Sequence, residues 1–161
     1  MIGKTDYVTP KSGTIITYNG TFDLDKLYKD SKLWFKKFSY EFDERLYKEK
    51  DLPEGNEVEI RFEAARRVDE YVKFHINAHF HLLYVKKLSK DVHMGNFKVN
   101  IAAFVELDYK NKLQYNPIKK FLFFIYNNFI IKYKILNEYE NKLYEEFLKF
   151  EDLIKENLGL L

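Results

Sequence analysis

The chain has no cysteine, and only four arginines, three prolines and six glycines occur among its 161 residues. The absence of cysteine excludes disulfide bonds and thiolate-bound metals, and it is consistent with a reducing compartment such as the cytoplasm. The most apolar run, Phe121 to Ile131, is interrupted by Asn127 and Asn128. It is much shorter than the roughly 20 residues that cross a bilayer, and residues 1–18 lack the apolar stretch of a signal peptide. We therefore expect a cytoplasmic protein that is soluble or peripheral to a membrane.

Motifs for catalysis are lacking as well. The glycines form neither a dinucleotide-binding loop nor a P-loop, and no Gly-x-Ser-x-Gly or His-Glu-x-x-His motif occurs. With four serines and no cysteine, few side chains could act as a nucleophile. We expect no enzymatic activity and no cofactor.

Apolar and aromatic residues are plentiful, at 46% and 18% of the chain, which is enough for a sizeable core and atypical of disorder. The length predicts a single α+β domain over residues 1–161. Period-two alternation predicts an antiparallel sheet of about four long strands. The four runs are Tyr40–Lys50, with a bulge at Leu46-Tyr47, Glu57–Ala64, Tyr71–Val85 and Phe97–Leu107.

The N-terminal part precedes these strands. Residues 1–12 are predicted to be a loose lead-in, Gly13–Tyr18 a short strand, and Asn19-Gly20 a turn. A helix capped by Thr21 or Asp23 follows. Its stripe at helical spacing comprises Leu24, Leu27, Tyr28, Ser31, Trp34, Phe35 and Phe38.

Residues 117–158 are predicted to form a long C-terminal helix that packs, like the N-terminal one, on one face of the sheet. Asn116 and Pro117 suit its first positions. An uninterrupted helix of this length would measure about 60 Å, which exceeds a domain of this size. The helix therefore breaks near Asn127-Asn128 or over residues 134–137, or its far half projects and needs a partner helix.

His75, His79 and His81 lie on one face of the third strand. His79 and His81 could share a metal only if a neighbouring strand supplied a third ligand, such as Glu59 or Glu106. The alternative is a solvated polar face, and we favour it. We therefore predict no metal site, with His79 and His81 as the weak candidates.

The most informative stretch is basic and aromatic. Residues 108–135 contain six lysines and one acidic residue, a charge of +5, whereas residues 136–161 contain three lysines and seven acidic residues, a charge of −4. Such an asymmetry concerns partners rather than fold. The predicted contacts with an anionic partner are Lys110, Lys112, Lys119, Lys120, Lys132 and Lys134.

This helix has more apolar positions than one stripe needs, which indicates burial on two sides. One side is expected to pack on the sheet through Phe121, Leu122, Phe124, Ile125 and Phe129. The other side is expected to contact a partner helix. The predicted contacts there are Phe123, Tyr126, Ile130, Tyr133, Leu143, Phe147 and Ile154.

A resemblance also bears on the origin of the chain. The segments Leu107-Asp108-Tyr109-Lys110, Asn116-Pro117 and Glu138-Tyr139-Glu140, and then Leu143-Tyr144-Glu145-Glu146, resemble those of a group of small uncharacterised archaeal α+β proteins with no assigned function. The resemblance implies an archaeal, cytoplasmic protein and transfers no activity.

Together these features predict a non-enzymatic binding or assembly protein. Its lysine-aromatic C-terminal helical surface would contact RNA or a ribonucleoprotein such as the ribosome, or would mediate homo-oligomerisation. One alternative is a peripheral membrane protein, whose apolar helix lies in the interface with its lysines on acidic headgroups. Another is a small-molecule binder that uses a cavity between the sheet and the long helix, by fold analogy.

Overall fold

The computed structural model describes residues 5–110, 117–131, 133 and 138–161, without the side chains of Phe123, Asn127, Ile130 and Ile131. Its centre is an antiparallel sheet with the strand order β1-β6-β5-β4-β3, and β2 also pairs with β6. The sheet therefore has six strands rather than about four. The strands are β1 (Thr5–Tyr7), β2 (Thr14–Phe22), β3 (Glu41–Lys50), β4 (Asn56–Arg67), β5 (Val72–Lys87) and β6 (His93–Leu107).

The two additional strands come from the N-terminal part. Strand β6 has 15 residues, so one of its edges accommodates β1 and β2 end to end. The predicted loose lead-in thus contains β1, and β2 continues through Asn19-Gly20 to Phe22, where a turn was predicted. Gly20 pairs with Gly95, so two residues without side chains lie opposite each other where the ladder continues.

Strand β5 confirms the alternation predicted for it, because its side chains from Val72 to Leu82 are alternately buried and partly exposed. The pattern shifts after Leu82. Tyr84 has a positive φ of 56° and is exposed, and Val85 is buried in its place. Gly55 lies against this irregularity, because a Cβ there would be 2.7 Å from the backbone carbonyl carbon of Tyr84. The predicted bulge in β3 is also present, between Glu44 and Leu46.

Within the described residues, three helices accompany the sheet: α1 (Leu24–Lys37), α2 (Pro117–Ile125), which continues as a π-helical turn over Tyr126–Ile131, and α3 (Glu140–Asn157). Asp23 caps α1 by accepting a 2.9 Å bond from the backbone amide of Lys26. Asn127 and Asn128 lie within the π-helical turn. The other predicted break, over residues 134–137, is outside the described residues.

The core lies between one face of the sheet and the helices α1 and α3. Its apolar side chains form one cluster, in which Phe150 of α3 contacts Phe35 of α1 at 4.7 Å between ring centroids. The void between α1 and the sheet, lined by Leu27 and Phe62, holds only about 10 Å³. That is the space of about one water molecule, so side chains fill the region between α1 and the sheet.

One polar cluster is buried in this core. Glu146 of α3 accepts bonds from Arg66 of β4 at 2.8 and 2.9 Å and from the Tyr40 hydroxyl at 2.6 Å. Arg66 also donates to the carbonyl oxygen of Phe38 at 2.7 Å. Because the carboxylate and the guanidinium satisfy each other, this ion pair fixes α3 against β4 and the end of α1.

Candidate functional site

Two surfaces of the described structure are left uncovered by the chain. One is the face of the sheet opposite α1 and α3, which we call the open face. The other is the helical stretch Pro117–Ile131, which we call the exposed segment. We consider the chemistry of each in turn.

The open face carries three histidines of β5, each paired with a carboxylate. His75 contacts Glu106 of β6 at 2.6 Å, from its Nε2 to the carboxylate oxygen. His79 and His81 contact Glu59 and Glu57 of β4 at 2.8 and 2.7 Å. These are cross-strand pairs of the kind that stabilise a sheet.

The same contacts bear on the weak metal candidates. The rings of His79 and His81 are stacked with centroids 6.4 Å apart, and each Nε2 is engaged by a different carboxylate. Within residues 5–110, 117–131, 133 and 138–161, no group of three or more His, Cys, Asp or Glu side chains has an arrangement that could hold a metal.

The charged groups on the open face are paired with one another. Burial lowers the pKa of His75, whose ring stacks on Phe104 at 4.5 Å, although its partner Glu106 acts in the opposite direction. Hydrogen bonds from Arg61, and then from His79, lower the pKa of Glu59. These histidines and carboxylates therefore satisfy one another across the strands.

Two shallow depressions also lie on the open face. One, of about 360 Å³, lies beside His81 and Lys98, and another, of about 190 Å³, lies beside Arg61 and Asn77. Arg61 already pairs with Glu59 at 2.8 Å. We assign no chemistry to either depression.

The exposed segment differs because the apolar side chains that the structure describes there face solvent. Its stripe, which we call the apolar stripe, follows the spacing i, i+3, i+4, i+7 and i+11 of one helix face. It comprises Ile118, Phe121, Leu122, Ile125 and Phe129. These side chains are 37–76% exposed, and Phe124 beside them is 62% exposed. The prediction that this side packs on the sheet is therefore wrong.

The charge of this region is of one sign. From Tyr109 to Asn137 the sequence has six lysines and no acidic residue. Lys119 and Lys120 are exposed in the first turn of α2, next to the positive end of the helix dipole. Lys110 is paired with Glu70. Lys112, Lys132 and Lys134 are predicted contacts that lie outside the described residues.

Comparison of the chain with protein-family models, curated proteins and solved structures found no significant match. The described helices were also assessed for membrane spanning, and none is both long enough and apolar enough to cross a bilayer. Functional inference therefore depends on the two surfaces themselves.

The residues predicted to contact a partner helix separate into three groups. Tyr126 and Tyr133 are exposed, whereas Leu143, Phe147 and Ile154 are at most 2% exposed in the core of this chain. The last three are therefore corrected to core residues, because the sheet and α1 already cover that side of α3. The side chains of Phe123 and Ile130 are outside the described part of the structure.

The sequence predicted that four residues of the apolar stripe, Phe121, Leu122, Ile125 and Phe129, pack on the sheet, and it placed this helix at a membrane only as an alternative. Helical periodicity alone could not separate the two, since a stripe covered by the sheet and a stripe left open have the same spacing. The signal that could have found it is the lack of acidic residues around it. A core helix normally carries both signs of charge on its solvent face, as α3 does with Glu145 and Lys149.

Proposed function

We propose that this chain is a non-enzymatic peripheral protein that binds anionic lipid surfaces through the exposed segment. The observation that carries the proposal is the apolar stripe, whose five side chains lie on one helix face and are 37–76% exposed. An exposed apolar stripe of this kind marks an interaction site.

The apolar part of the segment suits the boundary between headgroups and acyl chains. Interfacial helices carry Phe and Leu on one face and Lys on the other, and they bury the apolar face about 5–10 Å deep. Full burial of one Leu, Ile or Phe side chain is worth about 1.5–3 kcal/mol. Five such side chains on one face therefore supply a substantial part of the binding free energy.

The lysines supply the rest and select the lipid. Each lysine close to an anionic leaflet contributes about 1 kcal/mol. The six lysines between Tyr109 and Asn137 have no acidic residue among them to oppose this attraction. We therefore expect binding to anionic membranes and weak binding to zwitterionic ones.

RNA or a ribonucleoprotein is the second candidate, because the same lysines suit phosphates. Aromatic side chains such as Phe121 and Phe129 can stack on bases. Ile118, Leu122 and Ile125, however, have no equivalent role with nucleic acid, and they form the majority of the stripe. Self-association through the segment is less well supported, since a second copy offers its lysines no opposite charge there.

Vesicle flotation tests the proposal. Wild-type protein is mixed with phosphatidylcholine vesicles, with or without phosphatidylserine, and bound protein is quantified at several salt concentrations. The wild type should float with the anionic vesicles, and less so at high salt. Phe121→Ser with Phe129→Ser should weaken binding by about tenfold or more, since 1.4 kcal/mol is already a factor of ten.

Leu33→Ser is the matched control, because Leu33 is an apolar residue of α1, outside the segment, that is 63% exposed. It should bind as the wild type does. Equal binding by all three proteins would contradict the proposal. Salt-sensitive RNA binding that survives the double substitution, without flotation, would favour the nucleic-acid function. A dimer in solution that the double substitution dissociates would favour self-association.

A further inference from the structure

The proposed function leaves open how the folded domain is oriented on the membrane. We infer that one end of the domain, formed by the β4–β5 turn and the end of β6, rests at the level of the lipid headgroups on a group of tyrosines. We call this group the tyrosine collar, and it comprises Tyr71, Tyr109, Tyr126 and Tyr139. The inference rests on the proposed function and deepens it.

The collar lies at a single end of the sheet. Tyr71 directly precedes β5, and Tyr109 follows β6 by two residues, where Val72 pairs with Leu107 in the ladder. The backbone amide of Asp108 donates to the carbonyl oxygen of Tyr71 at 2.8 Å, which joins the two strand ends. Two members of the collar, Tyr71 and Tyr109, are therefore held at the ends of paired strands.

The exposed segment meets the domain at this same end. Tyr126, in the π-helical turn, contacts the ring of Tyr71 edge-on with centroids 6.4 Å apart. Tyr139 directly precedes α3 and packs its ring against Phe74 of β5. The tyrosines thus form the boundary between the apolar stripe and the body of the domain.

Asp69 organises the collar from the β4–β5 turn. Its carboxylate accepts bonds from the backbone amides of Tyr71 and Val72 at 2.8 and 2.7 Å and from the Tyr139 hydroxyl at 2.7 Å. Its carbonyl oxygen accepts a 3.0 Å bond from the Tyr109 hydroxyl. The acidic charge of this turn is therefore engaged by the domain, and the neighbouring Glu70 is paired with Lys110.

These rings have the properties of an interfacial anchor. Tyrosine has an apolar body and a polar tip, and it is enriched where membrane proteins meet the headgroups. The Tyr139 hydroxyl stays neutral, because burial and then its bond to Asp69 raise its pKa to about 12. Tyrosines at this end, beside an apolar stripe, would set how deep the stripe enters and which end of the sheet faces the membrane.

In this orientation, one end of the sheet lies at the membrane and the other end lies in water. Strand β5 leads from the collar to Tyr84, 13 residues on, which at about 3.3 Å per residue is about 40 Å along the strand. The β3–β4 turn, residues 51–55, lies at that far end, because it joins the paired residues Lys50 and Glu57. This turn should therefore remain in water when the protein is bound.

Hydrogen exchange of the wild-type protein tests this without any substitution. Amide exchange is followed with and without anionic vesicles, and protein bound to vesicles is measured in parallel. We expect residues 68–71 to exchange several-fold more slowly on vesicles, with residues 51–55 unchanged. A second measurement uses Trp34→Phe with either Tyr109→Trp or Tyr84→Trp, and a quencher placed at the headgroup level. The tryptophan at position 109 should be quenched and that at 84 should not.

The outcomes separate the two proposals. If the protein does not bind vesicles, the proposed function and this inference both fail. If it binds while residues 68–71 exchange as before, or residues 51–55 become protected instead, the orientation is overturned and lipid binding stands. Quenching at position 84 without quenching at 109 overturns it in the same way.

Discussion

Helix α3 and the exposed segment are both amphipathic, but only α3 is covered by its own chain. The apolar stripe of α3, Leu143, Phe147, Phe150 and Ile154, is at most 2% exposed. The stripe of the exposed segment is 37–76% exposed. Both show the spacing of a helix with one apolar face. The spacing thus indicates that an apolar helix face must be covered. It does not indicate whether the chain itself or a partner covers it.

Two properties distinguish the helices and explain the difference. Helix α3 brings Glu146 to Arg66 of β4, so its position on the sheet is fixed by an ion pair as well as by apolar contact. The exposed segment brings only lysines, and no acidic residue accompanies them from Tyr109 to Asn137. In addition, α1 and α3 already contact each other over the sheet, for example through Trp34 and Phe150. For these two helices, the buried ion pair between Glu146 and Arg66, more than apolar periodicity, indicates which one packs on the sheet.

The largest expected effect is a difference in stability between two variants, each of which truncates one phenylalanine in one of the two helices. Phe150→Ala removes a fully buried ring and should lower the free energy of unfolding by about 3–5 kcal/mol. Phe129→Ala removes a ring that is 76% exposed and should change it by no more than about 0.5 kcal/mol. Urea denaturation followed by circular dichroism measures both. Similar losses in the two variants would mean that the segment packs on the domain after all.

This contrast also shows what the sequence could predict. The long strands were predictable because buried residues alternate strictly with polar ones, as along β5 from Val72 to Leu82. Strand β1 was not predicted, and of β2 only the first part was, as the short strand Gly13–Tyr18, since the rest of the evidence is long-range. Segment Thr14–Phe22 contains Asn19-Gly20, which locally favours a turn, and only pairing with β6 makes it extended. Tertiary context overrode local propensity there.

The candidate site was predictable in part. The lysine-aromatic stretch was identified from its charge. The predicted stripe of α1 was also correct, and Asp23 is the one of the two predicted caps, Thr21 and Asp23, that caps this helix. Leu143 and Leu122, however, lie three heptads apart at equivalent positions of a seven-residue repeat, and yet Leu143 is buried and Leu122 is 58% exposed. The free area of a sheet face is a property of the assembled fold, so it cannot be deduced from the periodicity of any one helix.

An intermediate effect is expected from the polar anchor of α3. Glu146→Gln keeps the shape of the side chain but removes the charge that Arg66 and Tyr40 share. Because hydrogen bonds to buried charged groups are worth about 1.5–3 kcal/mol, we expect a loss of about 2 kcal/mol in the free energy of unfolding. Glu145→Gln, one residue away and exposed, is the matched control and should have little effect.

Urea denaturation again provides the measurement, and vesicle flotation of the same variants sharpens the comparison. Glu146→Gln should leave lipid binding unchanged as long as the protein is folded, because the anchor holds α3 and not the exposed segment. Equal stabilities of the two glutamine variants would show that apolar contact alone positions α3. The polar explanation of the difference between the helices would then be wrong.

The smallest effect should come from single lysines on the two helices. Lys120→Gln in α2 removes one exposed charge beside the apolar stripe, and Lys149→Gln removes one from the exposed face of α3. Because a lysine near an anionic leaflet contributes about 1 kcal/mol, Lys120→Gln should weaken binding to anionic vesicles by about fivefold. Lys149→Gln changes the net charge equally and should bind nearly as the wild type does.

Flotation at low salt measures the difference in binding between the two variants, which should disappear at high salt because exposed charges are then screened. If both variants lost affinity alike, net charge alone would drive binding, and the exposed segment would have no special role in it.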